Sequence, residues 1–115
     1  MARIVRGGLI QTTFVGSTEQ PIEQVKQGMI EKHLKMIEDA AQKGVQILCF
    51  QELFYGPYFC AEQKKKWYAL VEKIPNGTTT QLMQEVAKKY GMVLVDPNYE
   101  EELPGIYYNT AAVID

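Results

Sequence analysis

The stretch that most restricts the fold is Val45-Gln46-Ile47-Leu48-Cys49-Phe50, an apolar run of strand length bounded by Gly44 and Glu52. A run this short and this apolar suits a strand buried in a parallel sheet. The residues before it read as a helix. Ile22, Val25, Met29, Met36, Ile37, Ala40 and Ala41 recur at helical spacing, and Gly44 supplies the C-terminal stop. Ser17, Thr18 and Pro21 announce that helix, because a hydroxyl can cap orphan N–H groups and proline suits a first turn.

The same reading extends in both directions. Ile4 to Phe14 forms an opening strand, with Gly7 and Gly8 as a bulge or a point of close approach. An aromatic loop runs from Phe54 to Phe59, and Trp67, Leu70, Val71 and Ile74 mark one face of a second helix. Pro75-Asn76-Gly77 is a turn, and Thr78 with Gln81 three residues on resembles a capping box. The third helix buries Leu82, Met83, Val86 and Tyr90 and closes at Gly91. Met92–Val95 is another buried strand, and Pro104-Gly105 turns the chain into a last strand, Ile106–Ile114. The class is α/β, with an antiparallel pair at the end.

Composition removes several functions. The 115 residues carry 12 Lys plus Arg against 14 Asp plus Glu, a net charge of -2, which leaves no electrostatic footprint for nucleic acid or an anionic membrane. Hydrophobic residues at 46% and charged residues at 23% are ordinary for a globular domain. Gln11, Thr12 and Thr13 interrupt the apolar N-terminus, so neither a signal peptide nor a spanning helix is expected. Two cysteines, Cys49 and Cys60, lack metal-ligand spacing and are too few for a disulfide scaffold. The expectation is a cytoplasmic protein with free thiols and no metal.

Glu52 is the most informative position. It follows an apolar strand, and in open α/β sheets ligands bind beyond the carboxyl ends of strands. With Phe50, Leu53, Phe54 and Tyr55 around it, its carboxylate is expected to be partly desolvated, which suits a general base. The alternative is a strand-end Glu that pairs with a Lys or caps a helix. Tyr55, Tyr58 and Phe59 read either as pocket walls beside Glu52 or as aromatics closing a loop over a sheet edge. Asn109 reads as a partner near Glu52 or as a strand Asn that satisfies a loop. Cys60 reads as a pocket wall and Cys49 as core. His33 is packed or solvent-facing, Lys64-Lys65-Lys66 is a solvated face and Glu100-Glu101-Glu102 is a hairpin tip. Tyr107 and Tyr108 read as structural. Asp96, if its strand is buried, needs a partner or a raised pKa.

Ile47-Leu48-Cys49-Phe50-Gln51-Glu52-Leu53 and the aromatic loop to Cys60 resemble the catalytic-glutamate segment of the nitrilase, or carbon–nitrogen hydrolase, superfamily. The Phe-Gln-Glu form, with Pro57, Phe59 and Cys60, is most similar to the β-ureidopropionase branch. Pro75 to Thr79, Met92 to Val95 and Tyr108 to Ala111 extend the resemblance over nearly the whole chain. It implies the N-terminal half of an αββα sandwich, a mixed sheet with helices on one face, with residues 1–115 as a partial domain. It also implies hydrolysis of a carbamoyl or amide C–N bond by Glu, Lys and Cys without metal or organic cofactor, on a small-molecule substrate such as N-carbamoyl-β-alanine. A thiol needs an adjacent base and an oxyanion needs a preorganised cation, so that division of labour is sound chemistry. Glu52 matches the family's Glu. The family's Lys and Cys fall beyond Asp115, so the 115 residues alone are expected to be truncated, inactive and oligomeric through an uncovered sheet face. The rival expectation is a non-catalytic half-domain acting as an interaction module, or a truncation product.

Overall fold

A computed structural model describes residues 3–115. Its elements are β1 (Gly7–Leu9), α1 (Ile22–Gln42), β2 (Ile47–Cys49), α2 (Thr78–Tyr90), β3 (Val93–Leu103) and β4 (Ile106–Ile114), with two short 3-10 segments, Phe59–Ala61 and Lys65–Leu70, between β2 and α2. The four strands form one sheet in the order β1-β2-β3-β4. β1, β2 and β3 run parallel and β4 returns antiparallel beside β3. This is the mixed α/β sheet that the sequence pattern predicts.

Alternation sorts the strand residues into two faces. Leu48, Leu94, Asp96, Asn98 and Ile114 are buried on one face, in a core shared with Val25, Met29, Ile30 and Ile37 of α1 and Met83, Val86 and Ala87 of α2. The other face is open. Leu9, Cys49, Val95 and Val113 lie in one cross-strand row there, with Leu9 at 86% and Val113 at 69% exposure. β2 is therefore parallel as expected but covered on one side only, and Cys49 is half-buried on the open side rather than in the core.

Several local expectations need correction. The opening strand is confined to Gly7–Leu9, and its pairing with β2 is in continuous register, without a bulge. The close approach is at Gly8, where a Cβ would meet Leu48 Cδ1 at 2.9 Å. Pro21 occupies the N-cap of α1, and no side chain caps it. Ser17 Oγ instead accepts from the Glu19 N–H, and Thr18 donates to Glu62. Gly44 does follow the helix end, at φ +74°.

The expected second helix is the 3-10 segment Lys65–Leu70. Trp67 and Leu70 are buried at a spacing of three, the repeat on which a 3-10 turn stacks its side chains. The capping box at Thr78 does not form. Gly77 is the N-cap of α2, and Thr78 Oγ1 and the Thr79 N–H donate to Glu72 Oε1 at 2.6 Å and 3.2 Å. β3 continues eight residues beyond Val95, the limit the sequence suggested. Pro97 is tolerated within it because β2 pairs only as far as Val95, leaving no ladder donor owed on that side. No helix of the described residues is long and apolar enough to cross a membrane.

Candidate active site

The carboxyl end of β2 carries the chain out of the sheet, and Glu52 stands there on the first turn of the loop. Its neighbours Phe50, Leu53, Phe54 and Tyr55 are buried beneath it. Leu53 adopts φ +51° with its side chain in the core. A left-handed conformation costs a non-glycine residue on the order of 1–2 kcal/mol, so packing must enforce the sharp turn that Glu52 sits on. The enforcing contacts are aromatic. Ring centroids of Phe54 and Tyr55 are 5.3 Å apart, those of Tyr55 and Tyr99 are 5.1 Å apart, and His33 meets Phe54 edge-on at 4.8 Å.

Those contacts bury the aromatic rings and leave Glu52 exposed. The desolvation expected from the apolar neighbours is absent because they point down into the core while the carboxylate faces outward. Its partner is Asn109 on β4, whose Nδ2 donates to Glu52 Oε1 at 2.5 Å. Of the two readings open for Asn109, the structure therefore takes the one beside Glu52.

The remaining candidates separate. Tyr55 is not a pocket residue. It is fully buried, and its hydroxyl donates to the Leu70 carbonyl at 2.9 Å. Tyr58 is exposed and lines an open cleft with Glu52, Gln51, Pro57 and Phe14. Its phenol is pushed up, first by the adjacent Cys60 sulfur and then by the charges of Cys60 and Glu52. Phe59 and Asn109 line a neighbouring cavity of about 80 Å³ with Trp67, Tyr68, Tyr99 and Tyr107. Cys60 is exposed in a separate cleft beside Phe59, Lys64 and Lys65. Among the described residues, no group of three His, Cys, Asp or Glu is placed to hold a metal ion.

Three buried polar residues lie beneath the site, and one of them, Tyr99, fastens its loop. Tyr99, not singled out in the sequence, donates its hydroxyl to the Pro57 carbonyl at 2.5 Å, fastening the Glu52 loop to β3. Asp96 is fully buried, and burial pushes its carboxyl up to about 7, with the Asn98 side chain opposing and the Glu72 charge adding to the shift. His33 is buried as well, with its Nδ1 2.8 Å from the Met29 carbonyl, so Nδ1 carries the proton. Burial lowers its pKa, the Met29 bond opposes that and the Lys32 charge adds to it.

The geometry is that of a carboxylate at a strand's carboxyl end, tethered by an amide and flanked by aromatic clefts. The carbon-nitrogen hydrolase family model matches residues 15–115, and the chain belongs to that family. It is 35% identical to a beta-ureidopropionase of Arabidopsis thaliana over 97% of its own length and 28% of the relative's. It is 40% identical to an omega-amidase of Xenopus laevis over 80% of its length and 32% of the relative's. The crystal structure of a carbon-nitrogen hydrolase from Helicobacter pylori superimposes with a TM-score of 0.79 at 25% identity, covering 95% of this chain and 35% of that one. The chain thus spans about a third of the length of the proteins it matches.

Proposed function

We propose that these 115 residues are the N-terminal part of a domain that hydrolyses a non-peptide C–N bond in a linear carbamoyl amine or amide, with N-carbamoyl-β-alanine as the leading substrate class. The observation that carries this reading is Glu52 itself, exposed at the carboxyl end of β2 and held by Asn109 beside an aromatic-lined cavity. Glu52 is the general base. It takes the proton of a cysteine thiol as the sulfur adds to the carbonyl carbon, and passes it to the departing nitrogen. By resemblance, that thiol and the lysine that balances the oxyanion belong to the part of the family domain that follows β4. Tyr58 walls the cleft that Glu52 opens into, and Phe59 lines the neighbouring cavity on the Asn109 side.

The test is ammonia release from N-carbamoyl-β-alanine, with a simple ω-amide as competitor. The purified 115-residue chain should release none. A natural product that carries this segment together with the lysine and cysteine should release it, and Glu52→Gln should reduce its kcat by roughly 10²–10⁴-fold, the usual worth of a positioned base. Turnover by the short chain that survives Glu52→Gln would overturn the assignment.

One observation favours a second reading. The open sheet face, with Leu9 and Val113 largely exposed, suits a half-domain that acts by pairing with another copy or with a full-length relative. A stable complex with such a relative, in the absence of any catalysis by the natural product, would favour that reading.

A further inference from the structure

The geometry points to Asn109 as a positioning residue that fixes which oxygen of Glu52 is free to take a proton, an inference that rests on Glu52 being the base. An ionised carboxylate can only accept hydrogen bonds, so the amide nitrogen of Asn109, and not its oxygen, must face Oε1. With Oε1 occupied at 2.5 Å, Oε2 is left for the thiol proton.

The tether is needed because of where Glu52 sits. It is exposed, on a loop, with three rotatable side-chain bonds, and free rotation would spread its carboxylate over many orientations. Asn109 lies on a strand. Within the β3–β4 pairing it stands opposite Tyr99, whose hydroxyl donates to the Pro57 and Leu53 carbonyls at 2.5 Å and 3.4 Å. One cross-strand pair therefore grips the Glu52 loop twice, Tyr99 by its backbone and Asn109 by its carboxylate. A group supported from a regular strand holds its geometry better than one left to a loop. The bond also stands between two spaces, since Glu52 lines the open cleft beside Tyr58 and Asn109 lines the aromatic cavity beside Phe59.

Selective ¹⁵N-asparagine labelling reports this directly, because the chain has three asparagines, Asn76, Asn98 and Asn109. In the 115-residue chain, the Asn109 side-chain amide protons should lie downfield of those of a solvated asparagine, and Glu52→Ala should remove that displacement. An Asn109 amide that Glu52→Ala leaves in place overturns the inference. In the catalytically complete protein, Asn109→Leu keeps the size and removes the donor without adding a charge beside Glu52. It should lower kcat about 10²-fold with KM within two-fold and the melting temperature unchanged, the scale expected when a reacting group is misplaced by about 1 Å. Unchanged kcat overturns the inference too. An Asn109 amide that responds to Glu52→Ala in a protein that hydrolyses no C–N bond would sink the functional reading alone, and an amide indifferent to it in an active enzyme would sink the tether alone.

Discussion

Lys26 Nζ stands 3.0 Å from Glu72 Oε1, and the same oxygen accepts from Thr78 Oγ1 and the Thr79 N–H. One carboxylate thus joins α1 to the first turn of α2, where the unpaired N–H groups and the helix dipole both favour a negative charge. The backbone of Glu72 completes the junction, donating its N–H to the Tyr99 carbonyl and accepting from the Glu101 N–H, both at 2.8 Å.

Glu72→Ala should therefore destabilise the fold by roughly 3 kcal/mol, the low end for breaking a buried pair, because side-chain exposures of 18% and 11% still admit some water. The pH dependence has a definite sign. Burial alone would raise the Glu72 pKa, but the hydrogen bonds from Thr78, Thr79 and Lys26 outweigh it and hold the carboxyl below its usual range. A depressed acid contributes stability that is present above the unfolded value near 4.5 and is lost as pH falls through the folded one. Urea midpoints between pH 3 and pH 6 should show that loss in the wild type and lack it in the variant.

Asp96 should act in the opposite direction. Its carboxyl is buried with neither oxygen hydrogen-bonded, and burial lifts its pKa from 3.8 to about 7. Between those values the folded state binds a proton that the unfolded state has released, so stability falls as pH rises from 4 to 7. The full loss is on the order of 4 kcal/mol at pH 8. Asp96→Asn should remove the slope and be more stable than wild type at pH 8, with little difference at pH 4. Parallel urea curves at both pH values that gave equal midpoints for the two proteins would contradict this.

The sequence carried the elements whose signals are local. The periodicity from Ile22 to Ala41, the apolar run ending before Glu52 and the Pro104-Gly105 turn each report their own neighbourhood, and each appears in the fold. Asp96 was also legible, because a carboxylate in a buried strand is conspicuous by its charge. Contacts that close over distance were not. Asn109 and Glu52 are 57 residues apart, and nothing in either segment specifies the β3–β4 register that brings them together. Glu72 replaced the expected cap of α2 from outside the helix, a substitution that no motif encodes. Tyr55 reads in the sequence as either a pocket wall or a loop-closing aromatic, because nothing local shows that its hydroxyl meets the Leu70 carbonyl and can be buried at no cost in unsatisfied polarity.

Tyr99→Phe should loosen the Glu52 loop without disturbing the core. It removes the hydroxyl that donates to the Pro57 and Leu53 carbonyls and keeps the ring that packs on Tyr55. The expected cost is about 1–2 kcal/mol, since two carbonyls lose one shared donor. Hydrogen exchange should accelerate at residues 53–59 and stay unchanged in α1. Faster exchange spread evenly over the chain would mean that the hydroxyl supports the whole fold rather than the loop.

The open sheet face leads to the last prediction. β-sheets that pack face to face do so through continuous apolar rows, and Leu9, Cys49, Val95 and Val113 make such a row across all four strands. Val113, at 69% exposure, and Leu9, at 86%, flank half-buried Cys49 and Val95, so the row is accessible from end to end. Left in water, a surface of this kind associates. The 115-residue chain should therefore sediment above 13.1 kDa at micromolar concentration. Leu9→Lys with Val113→Lys should return it to a monomer, because the two ammonium groups would lose their hydration on pairing. Both positions face outward and touch nothing in the core, so the melting temperature of the double variant should change little. A wild-type chain that sediments as a stable, monodisperse monomer would show that the face does not bind another copy.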